Sequence, residues 1–165
     1  MIPPKDCNQS YDYLSTATGL LKISANDLGI SAITYVEQQE QPPSQHPLLR
    51  KAKQQLSEYF NNEREVFNLP LAPTGTVFQC KVWQLLCDIP YGQTCSYGDI
   101  AKRLDNPKAV RAVGSANGKN PISIIVPCHR VIGANGTLTG YAGGLRRKAY
   151  LLQLENSQFS ARHTK

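Results

Sequence analysis

The spacing of apolar and polar positions divides the chain into two parts of different character. In the first part, short segments rich in Tyr, Ile, Leu, Thr and Val occupy about residues 11–17, 20–25 and 28–36, with turn-forming residues between them. Apolar residues then recur every three or four positions across about residues 47–61, which indicates an amphipathic helix. This order predicts a small antiparallel sheet followed by one helix.

Helical patterns dominate the second part, which begins after the proline-rich segment Leu69–Pro73. Apolar periodicity predicts one helix over about residues 75–88 and a last helix over residues 145–155. Because prolines hold the residues before them in an extended conformation, we interpret Leu69–Pro73 as a linker between two domains, residues 1–73 and 74–165.

Two further helices are predicted in close succession. Ser96 and Asp99 have the spacing of a capping box, which opens a helix ending near residue 104. Asn106-Pro107 supplies a favourable N-cap and first helical position for a second helix over residues 107–117. The pair resembles a helix-turn-helix, although many helical hairpins share this pattern.

The second of these helices carries one long cation, Arg111, among mostly small side chains. Reading base edges in a major groove requires several long polar side chains, which this helix lacks. Small residues instead allow close approach to a nucleic-acid backbone, with Arg111 available to enter the base stack. Close packing between helices in a core would explain the small residues but not the arginine.

Candidate chemistry follows the apolar run Ile122–Val126, which predicts a buried strand and leads directly into Pro127-Cys128-His129-Arg130. A cysteine beside a histidine and an arginine has the surroundings that lower a thiol pKa and produce a nucleophilic thiolate. A structural cysteine next to a chance histidine fits this tetrapeptide equally well. Beyond it, Asn135-Gly136 predicts a hairpin, and Gly140–Gly144 predicts a loop whose N–H groups are accessible to a ligand.

Net charge also differs between the same two parts of the chain. Residues 1–73 contain 6 Lys and Arg against 8 Asp and Glu, whereas residues 74–165 contain 12 against 4. A basic second half favours a polyanionic partner for that half alone, with solubility as the other explanation.

Composition excludes several classes of protein. The five cysteines are odd in number and include no C-x-x-C pair, which argues against a disulfide framework and a four-ligand zinc site and favours a reducing cytosol. No apolar run approaches the roughly 18–20 residues of a membrane helix, and the first residues lack the apolar core of a signal peptide. We therefore expect a cytoplasmic protein with no metal site and no membrane association.

Taken together, these motifs are similar to those of a known family. Pro127–Val131, preceded by Asn120-Pro121 and Arg111–Gly114 and followed by Tyr141-x-Gly143-Gly144, resembles the O6-alkylguanine-DNA alkyltransferases. The resemblance is dense over about residues 74–156. Before that segment the chain matches the family only in size and element order.

The resemblance implies an α/β (α+β) fold, with a ribonuclease-H-like sheet-plus-helix domain and then a mostly helical, winged helix-turn-helix-like domain. It implies a DNA repair enzyme that flips O6-alkylguanine out of duplex DNA and transfers the alkyl group irreversibly and stoichiometrically to its own Cys128. O4-alkylthymine is left open as a second substrate. The resemblance also implies a monomer with no cofactor and no obligate protein partner.

Roles for individual residues follow from the same resemblance. Cys128 is the expected alkyl acceptor, and His129 the base that deprotonates it through a bound water. Glu155 is expected to orient His129, and Asn120 to be the hinge between the DNA-binding helix and the active-site segment. The expected substrate contacts are Tyr97, Val131, Tyr141 and Ala142. The expected DNA contacts are Arg111, Ala112, Gly114 and Ser115.

Three other classes of protein share some of these features. A related group binds alkylated DNA without catalysis but lacks the acceptor thiol, so the presence of Cys128 counts against it. A winged-helix regulator needs groove-reading side chains that are missing here. A cysteine hydrolase places its histidine far from the cysteine in sequence, unlike Cys128-His129.

Overall fold

The computed structural model describes residues 9–155 of the chain. The chain divides into two compact units: residues up to Gly75 together with Pro121–Ser123, and Thr76–Asn120 together with the residues from Ile124 onward. The first unit ends at Gly75, two residues after Pro73, where the sequence predicts the domain boundary. The return of Pro121–Ser123 to the first unit is a feature that no sequence pattern indicates.

The first unit is a three-stranded antiparallel sheet with one helix, as the sequence predicts. Its elements are β1 (Ser10–Thr16), β2 (Gly19–Asn26), β3 (Gly29–Val36) and α1 (Pro47–Phe60). The strand order is β1-β2-β3, with β2 in the centre. Leu21 and Ile23 of β2 are fully buried, as are Leu49 and Leu56 of α1, and these side chains belong to one core.

The strand β3 has further backbone partners besides β2. Ile30 forms a parallel bridge with Leu71, and Ile33 forms one with Ile122. The N–H of Ile33 donates to the carbonyl of Pro121 at 2.9 Å. Because a bare sheet edge exposes unpaired N–H and C=O groups, these two segments complete the hydrogen bonding of β3.

The second unit is mostly helical. Its elements are α2 (Val77–Cys87), β4 (Cys95–Ser96), α3 (Tyr97–Arg103), α4 (Val110–Gly118), a 3-10 helix (Cys128–Arg130), β5 (Val131–Ile132) and α5 (Leu145–Glu155). Capping boxes open α2 at Thr76 and α3 at Ser96, the latter as predicted. Among the described residues, no helix is both long and apolar enough to cross a bilayer.

The helix α4 begins later than the sequence predicts. Asn106 does not cap it, and the carbonyl of Asn106 accepts the N–H of Ala109 at 3.0 Å in a separate turn before the helix. Asp105 has a φ of +57°, which turns the chain out of the path of α3. The N-cap position falls on Ala109, which makes no side-chain cap. The connection between the two helices is therefore longer than a three-residue turn.

The apolar run Ile122–Val126 is buried as predicted, but the prediction of a strand is wrong. Only Ile122 makes a β-bridge. Ile124 has a φ of +74°, a conformation that β-branched residues rarely adopt and that interrupts an extended strand.

The prediction of a hairpin at Asn135-Gly136 is also wrong in part. The turn forms, because the N–H of Gly133 donates to the carbonyl of Thr137 at 2.9 Å and Gly136 has a φ of +83°. No strand follows it within the described residues, and β5 pairs in parallel with β4 instead.

Gly29 provides a test of the packing in the first unit. A Cβ at Gly29 would lie 2.5 Å from the carbonyl oxygen of Pro70, and the φ of Gly29 is +155°. We expect Gly29→Ala to lower the free energy of unfolding by about 1–3 kcal/mol, because backbone must shift on both sides of the clash. The matched control is Gly118→Ala. A Cβ added at this helical glycine would meet no atom within 4 Å outside the backbone of its own helix. Equal melting temperatures for the two variants would contradict the assigned contact.

Candidate active site

Cys128 is held by a tight turn at the start of the 3-10 helix and is 4% exposed. Its N–H donates to the carbonyl of Val126 at 2.8 Å across Pro127, which is an inverse γ-turn. The side-chain Nδ2 of Asn120 donates to the same carbonyl at 2.8 Å. Asn120 therefore fixes the turn that presents Cys128.

His129, Arg130 and Glu155 form a buried cluster beside Cys128. The Nε2 of His129 lies 2.7 Å from Oε2 of Glu155. Arg130 donates to both carboxylate oxygens, through Nε at 2.8 Å and Nη2 at 3.0 Å, and its Nη1 donates to the carbonyl of Ile89 at 2.7 Å. This two-pronged contact between a guanidinium and a carboxylate is the strongest kind of charged hydrogen bond.

The charge state of this cluster follows from its burial and its partners. Although burial raises the pKa of Glu155, hydrogen bonds from His129 and Arg130 hold that pKa at about 2. Burial lowers the pKa of His129 despite the opposing effect of Glu155, so the imidazole is neutral at pH 7. An ionised Glu155 accepts only, so Nε2 carries the imidazole proton and Nδ1 is the basic atom. Nδ1 is buried and has no hydrogen-bond partner among the described residues.

The expectation of a low thiol pKa at Cys128 is wrong for the protein alone. Burial raises the pKa of Cys128, and the effects that oppose it are a hydrogen bond with the Asn120 side chain and the charge of Lys148. Neither His129 nor Arg130 supplies that charge, because His129 is neutral and Arg130 is paired with Glu155. The resting protein therefore holds Cys128 as a thiol, and the next residue in the chain is a neutral histidine.

Lys148 is a site residue that the sequence reasoning missed. It is fully buried, and its Nζ donates to the carbonyls of Val131 at 2.5 Å and Thr139 at 2.6 Å. In the sequence it follows Arg146-Arg147, and such a run of cations is typical of a surface. Helical periodicity could have indicated the burial of this lysine. It lies three, four and seven residues before the other buried positions of α5, which are Leu151, Leu152 and Glu155.

Tyr97 contacts the loop between β5 and α5. Its OH accepts a hydrogen bond from Oγ1 of Thr139 at 3.1 Å and lies 3.5 Å from the carbonyl of the same residue. Its ring lies beside Gly114 of α4, where an added Cβ would be 3.9 Å away. Of the other expected substrate contacts, Val131 and Tyr141 are buried and Ala142 is exposed in this loop.

The helix α4 presents the expected DNA contacts on one side. Arg111, Ala112 and Ser115 are exposed and Gly114 is half-buried. The opposite side is anchored, because Nε1 of the buried Trp83 donates to the carbonyl of Ala116 at 2.8 Å. The exposed side therefore combines one cation with side chains small enough for close approach to a sugar–phosphate backbone.

Within residues 9–155, no cluster of three or more His, Cys, Asp or Glu side chains has the arrangement of a metal site.

Two family models match the chain, one in each unit. Residues 10–73 match the ribonuclease-like domain of 6-O-methylguanine DNA methyltransferase, and residues 77–157 match its DNA-binding domain.

Relatives named as methylated-DNA–protein-cysteine methyltransferases match most of the chain. The methylated-DNA–protein-cysteine methyltransferase of Methanosarcina acetivorans is 52% identical over 145 residues, which cover 88% of this chain and 85% of the relative. That of Haemophilus influenzae is 47% identical over 152 residues, covering 88% and 85%. The crystal structure of O6-methylguanine methyltransferase from Mycobacterium tuberculosis superposes with a TM-score of 0.82 at 44% identity, covering 91% of this chain and 94% of that one. The Mycobacterium tuberculosis protein in complex with DNA gives the same TM-score at 45% identity, covering 90% and 93%.

Replacement of Glu155 tests the buried cluster through its pH dependence. We expect Glu155→Gln to lower the free energy of unfolding at pH 7 by about 3–5 kcal/mol, because Arg130 stays buried without a counter-charge. The pKa of Glu155 is about 2 in the folded protein and about 4.3 in an unfolded chain. Its stabilisation is therefore complete above about pH 4.3 and is lost as the pH falls toward the folded-state pKa. Urea denaturation at a series of pH values should show the two proteins converging in acid.

The control for this prediction is Glu58→Gln, which removes a carboxylate that pairs with Arg64 at 2.8 Å, where 30% of the Glu58 side chain and 29% of the Arg64 side chain are exposed. It should change stability far less than Glu155→Gln at any pH, because solvent reaches this ion pair and screens it. Similar denaturation curves for the Glu155 and Glu58 variants would contradict the buried cluster.

Proposed function

The chain belongs to the 6-O-methylguanine DNA methyltransferase family, and we propose that it repairs duplex DNA by moving the alkyl group of O6-alkylguanine to its own Cys128. The observation that carries this assignment is the cluster around that thiol. A neutral imidazole lies in the adjacent residue, and an ionised Glu155 orders its tautomer so that Nδ1 is the basic atom.

The proposed reaction is one displacement. Nδ1 of His129 takes the thiol proton of Cys128 through a bridging water, and Glu155 stabilises the imidazolium that forms. The thiolate then attacks the alkyl carbon, so that a C–S bond forms while the bond from that carbon to O6 breaks. The electron pair of the broken bond returns to guanine, which takes up one proton. Neither a cofactor nor a metal is needed for this exchange.

The product explains why each molecule acts once. The thioether on Cys128 has no leaving group that a neighbouring side chain is able to displace, so the alkyl group stays on the protein. Repair is then stoichiometric and irreversible, and the enzyme is consumed by its own reaction.

Base flipping is the second part of the proposal. The O6 atom of a stacked guanine is inaccessible to a buried thiol, so the nucleotide must be extruded at a cost of a few kcal/mol. We assign the extrusion to Tyr97 and Arg111, with Arg111 filling the gap in the stack. The exposed small residues Ala112, Gly114 and Ser115 support close contact with the backbone around that gap.

Contacts to the flipped base are assigned to the segment that follows Cys128. Carbonyls of Cys128 and Val131 accept from the guanine amine, the N–H of Ala142 donates to O6, and Tyr141 lines the pocket. Asn120 supports this assignment, because it fixes the turn before Cys128 and follows α4 closely in the chain.

The remaining parts of the proposal concern the state of the protein. We propose that residues 1–73 and 74–165 act as a ribonuclease-like domain and a repair domain, in a monomer of the cytoplasm. A reducing compartment keeps the Cys128 thiol available. A lesion-binding protein without catalysis is the second candidate, and the presence of an acceptor thiol favours transfer over it.

Cys128→Ser should abolish transfer and leave DNA binding nearly unchanged, because serine keeps the shape of cysteine without its acidity. Incubation with duplex DNA containing O6-methylguanine, followed by mass spectrometry of the peptides, should show a methyl group on Cys128 of the unmodified chain alone. The matched control is Cys95→Ser, where burial raises the thiol pKa to about 11. That variant should transfer normally. A methyl group on another cysteine would contradict the assignment of the acceptor.

Arg111→Ala should slow repair of paired DNA more than alkyl transfer from the free modified base. Only the duplex needs a side chain to fill the vacated stack. Single-turnover rates on the two substrates measure the difference. Lys81→Met, which removes an exposed cation from α2, is the control for net charge. Equal decreases in rate on both substrates would indicate that Arg111 has only a structural role.

A further inference from the structure

A turn between α2 and β4 lies against the ion pair of Arg130 and Glu155. It spans residues 89–92, and its last hydrogen bond runs from the N–H of Gln93 to the carbonyl of Pro90 at 3.1 Å. The reaction proposed above does not use this turn. Three of its groups nevertheless contact the ion pair or the backbone that carries it.

Arg130 is the member of the buried cluster that most needs to be held in place. The side chains of His129 and Glu155 are 0% and 1% exposed, whereas that of Arg130 is 8% exposed. A long arginine side chain has many rotamers and loses entropy when it is confined to one of them. If Arg130 moved toward solvent, the buried carboxylate of Glu155 would lose the cation that it pairs with, which is costly.

The turn holds the guanidinium of Arg130 through two contacts. The Nη1 of Arg130 donates to the carbonyl of Ile89 at 2.7 Å. The Cζ of Arg130 also lies 5.8 Å from the centre of the Tyr91 ring. This distance is within the range of a cation–π interaction, in which the negative face of the ring attracts the cation more strongly where water is excluded.

The same turn contacts the end of α5, where Glu155 is located. The OH of Tyr91 donates to the carbonyl of Leu154 at 3.4 Å. This carbonyl belongs to the last turn of a helix, where carbonyls have no partner within the helix itself. Gly92 packs against the backbone of Glu155, because a Cβ added to it would lie 3.3 Å from the Glu155 carbonyl oxygen. One side chain, that of Tyr91, therefore contacts both Arg130 and the residue before Glu155.

We propose that Tyr91 is a positioning residue for alkyl transfer, whose ring keeps the guanidinium of Arg130 on Glu155 and thereby keeps the imidazole of His129 neutral and able to accept a proton. This inference rests on the proposed role of His129 as the base. Tyr91 acts on the reaction through Arg130 and Glu155, by holding the positive charge next to the negative one.

The charges around His129 give this effect a definite direction. Burial has the largest effect on the pKa of His129 and lowers it, Glu155 raises it, and the positive charges of Arg130 and Lys148 lower it further. Helix α2 also packs against the 3-10 helix, but the Cys87 thiol at its end is uncharged at pH 7, because burial raises its pKa. Movement of the guanidinium away from Glu155 therefore raises the pKa of His129.

The first test replaces Tyr91 with methionine, which removes the ring and fills the space with a flexible apolar side chain. In protein labelled with ¹⁵N at histidine, NMR follows the imidazole of His129 across a pH series. We expect the pKa of His129 to rise by about one unit in Tyr91→Met. The matched control is Tyr150→Met, which removes a tyrosine that is 38% exposed on α5. It should leave that pKa unchanged.

Single-turnover methyl transfer from duplex DNA containing O6-methylguanine makes the same comparison in the reaction. Transfer needs the neutral imidazole, so its rate is constant above the pKa of His129 and falls below it. A rise of about one unit makes Tyr91→Met about tenfold slower than the unmodified chain below both pKa values, and equally fast well above them. Tyr91→Phe keeps the ring and should have the pH–rate profile of the unmodified chain.

A role limited to packing would lower the melting temperature of Tyr91→Met and slow transfer by the same factor at every pH, and that result would overturn the proposal. A shift in Tyr91→Phe as large as that in Tyr91→Met would also overturn it, because the hydroxyl group rather than the ring would then be responsible. Failure of the proposed function is a separate outcome: the unmodified chain would take up no methyl group at Cys128, while the NMR titration of His129 would still report on Tyr91.

A second measurement uses the unmodified chain and does not depend on the folding of a variant. The ring contact predicts nuclear Overhauser effects between the ring protons of Tyr91 and the side-chain protons of Arg130. We expect to observe them at pH 7, where Glu155 is ionised and Arg130 is paired with it. Their absence would overturn the proposal.

Discussion

A carboxylate buried at the end of α5 is the constraint on which the candidate site depends. The side chain of Glu155 is 1% exposed, so it must be paired inside the protein, and Arg130 and His129 provide that pairing. Arg130 neutralises the charge, and this leaves the imidazole of His129 neutral, with its proton on Nε2. The acid–base property of the site is thus a consequence of satisfying one buried anion.

Backbone geometry places Cys128 next to this cluster of charged side chains. The positive φ of Ile124, the γ-turn at Pro127 and the 3-10 helix that begins at Cys128 bend the chain sharply within five residues. Asn120 holds the turn through the carbonyl of Val126. An extended strand would not bring successive residues, the thiol and the imidazole, into one buried cluster, because their side chains would point to opposite faces.

Cations in the second unit act in two different environments. Arg111 is exposed on a helix of small side chains, where water screens its charge until a polyanion binds. Lys148 is fully buried, and its charge opposes the rise that burial causes in the pKa of the Cys128 thiol. The net charge of the sequence counts these two residues equally, although only Arg111 lies on the surface.

Local spacing was enough to predict the elements of the first unit and the capping box at Ser96, and a dense motif singled out Cys128, His129 and Glu155 as candidate site residues. Other features depend on packing and are not visible in any local pattern. The irregular path of residues 122–126 accompanies a contact with a distant segment, the pairing of Ile122 with Ile33, and the late start of α4 follows the turn that begins at Asp105. The raised pKa of the Cys128 thiol depends on burial, and the burial of Lys148 is concealed in the sequence by two neighbouring arginines. Dielectric environment and backbone partners are properties of packing, so no local pattern along the chain reports them.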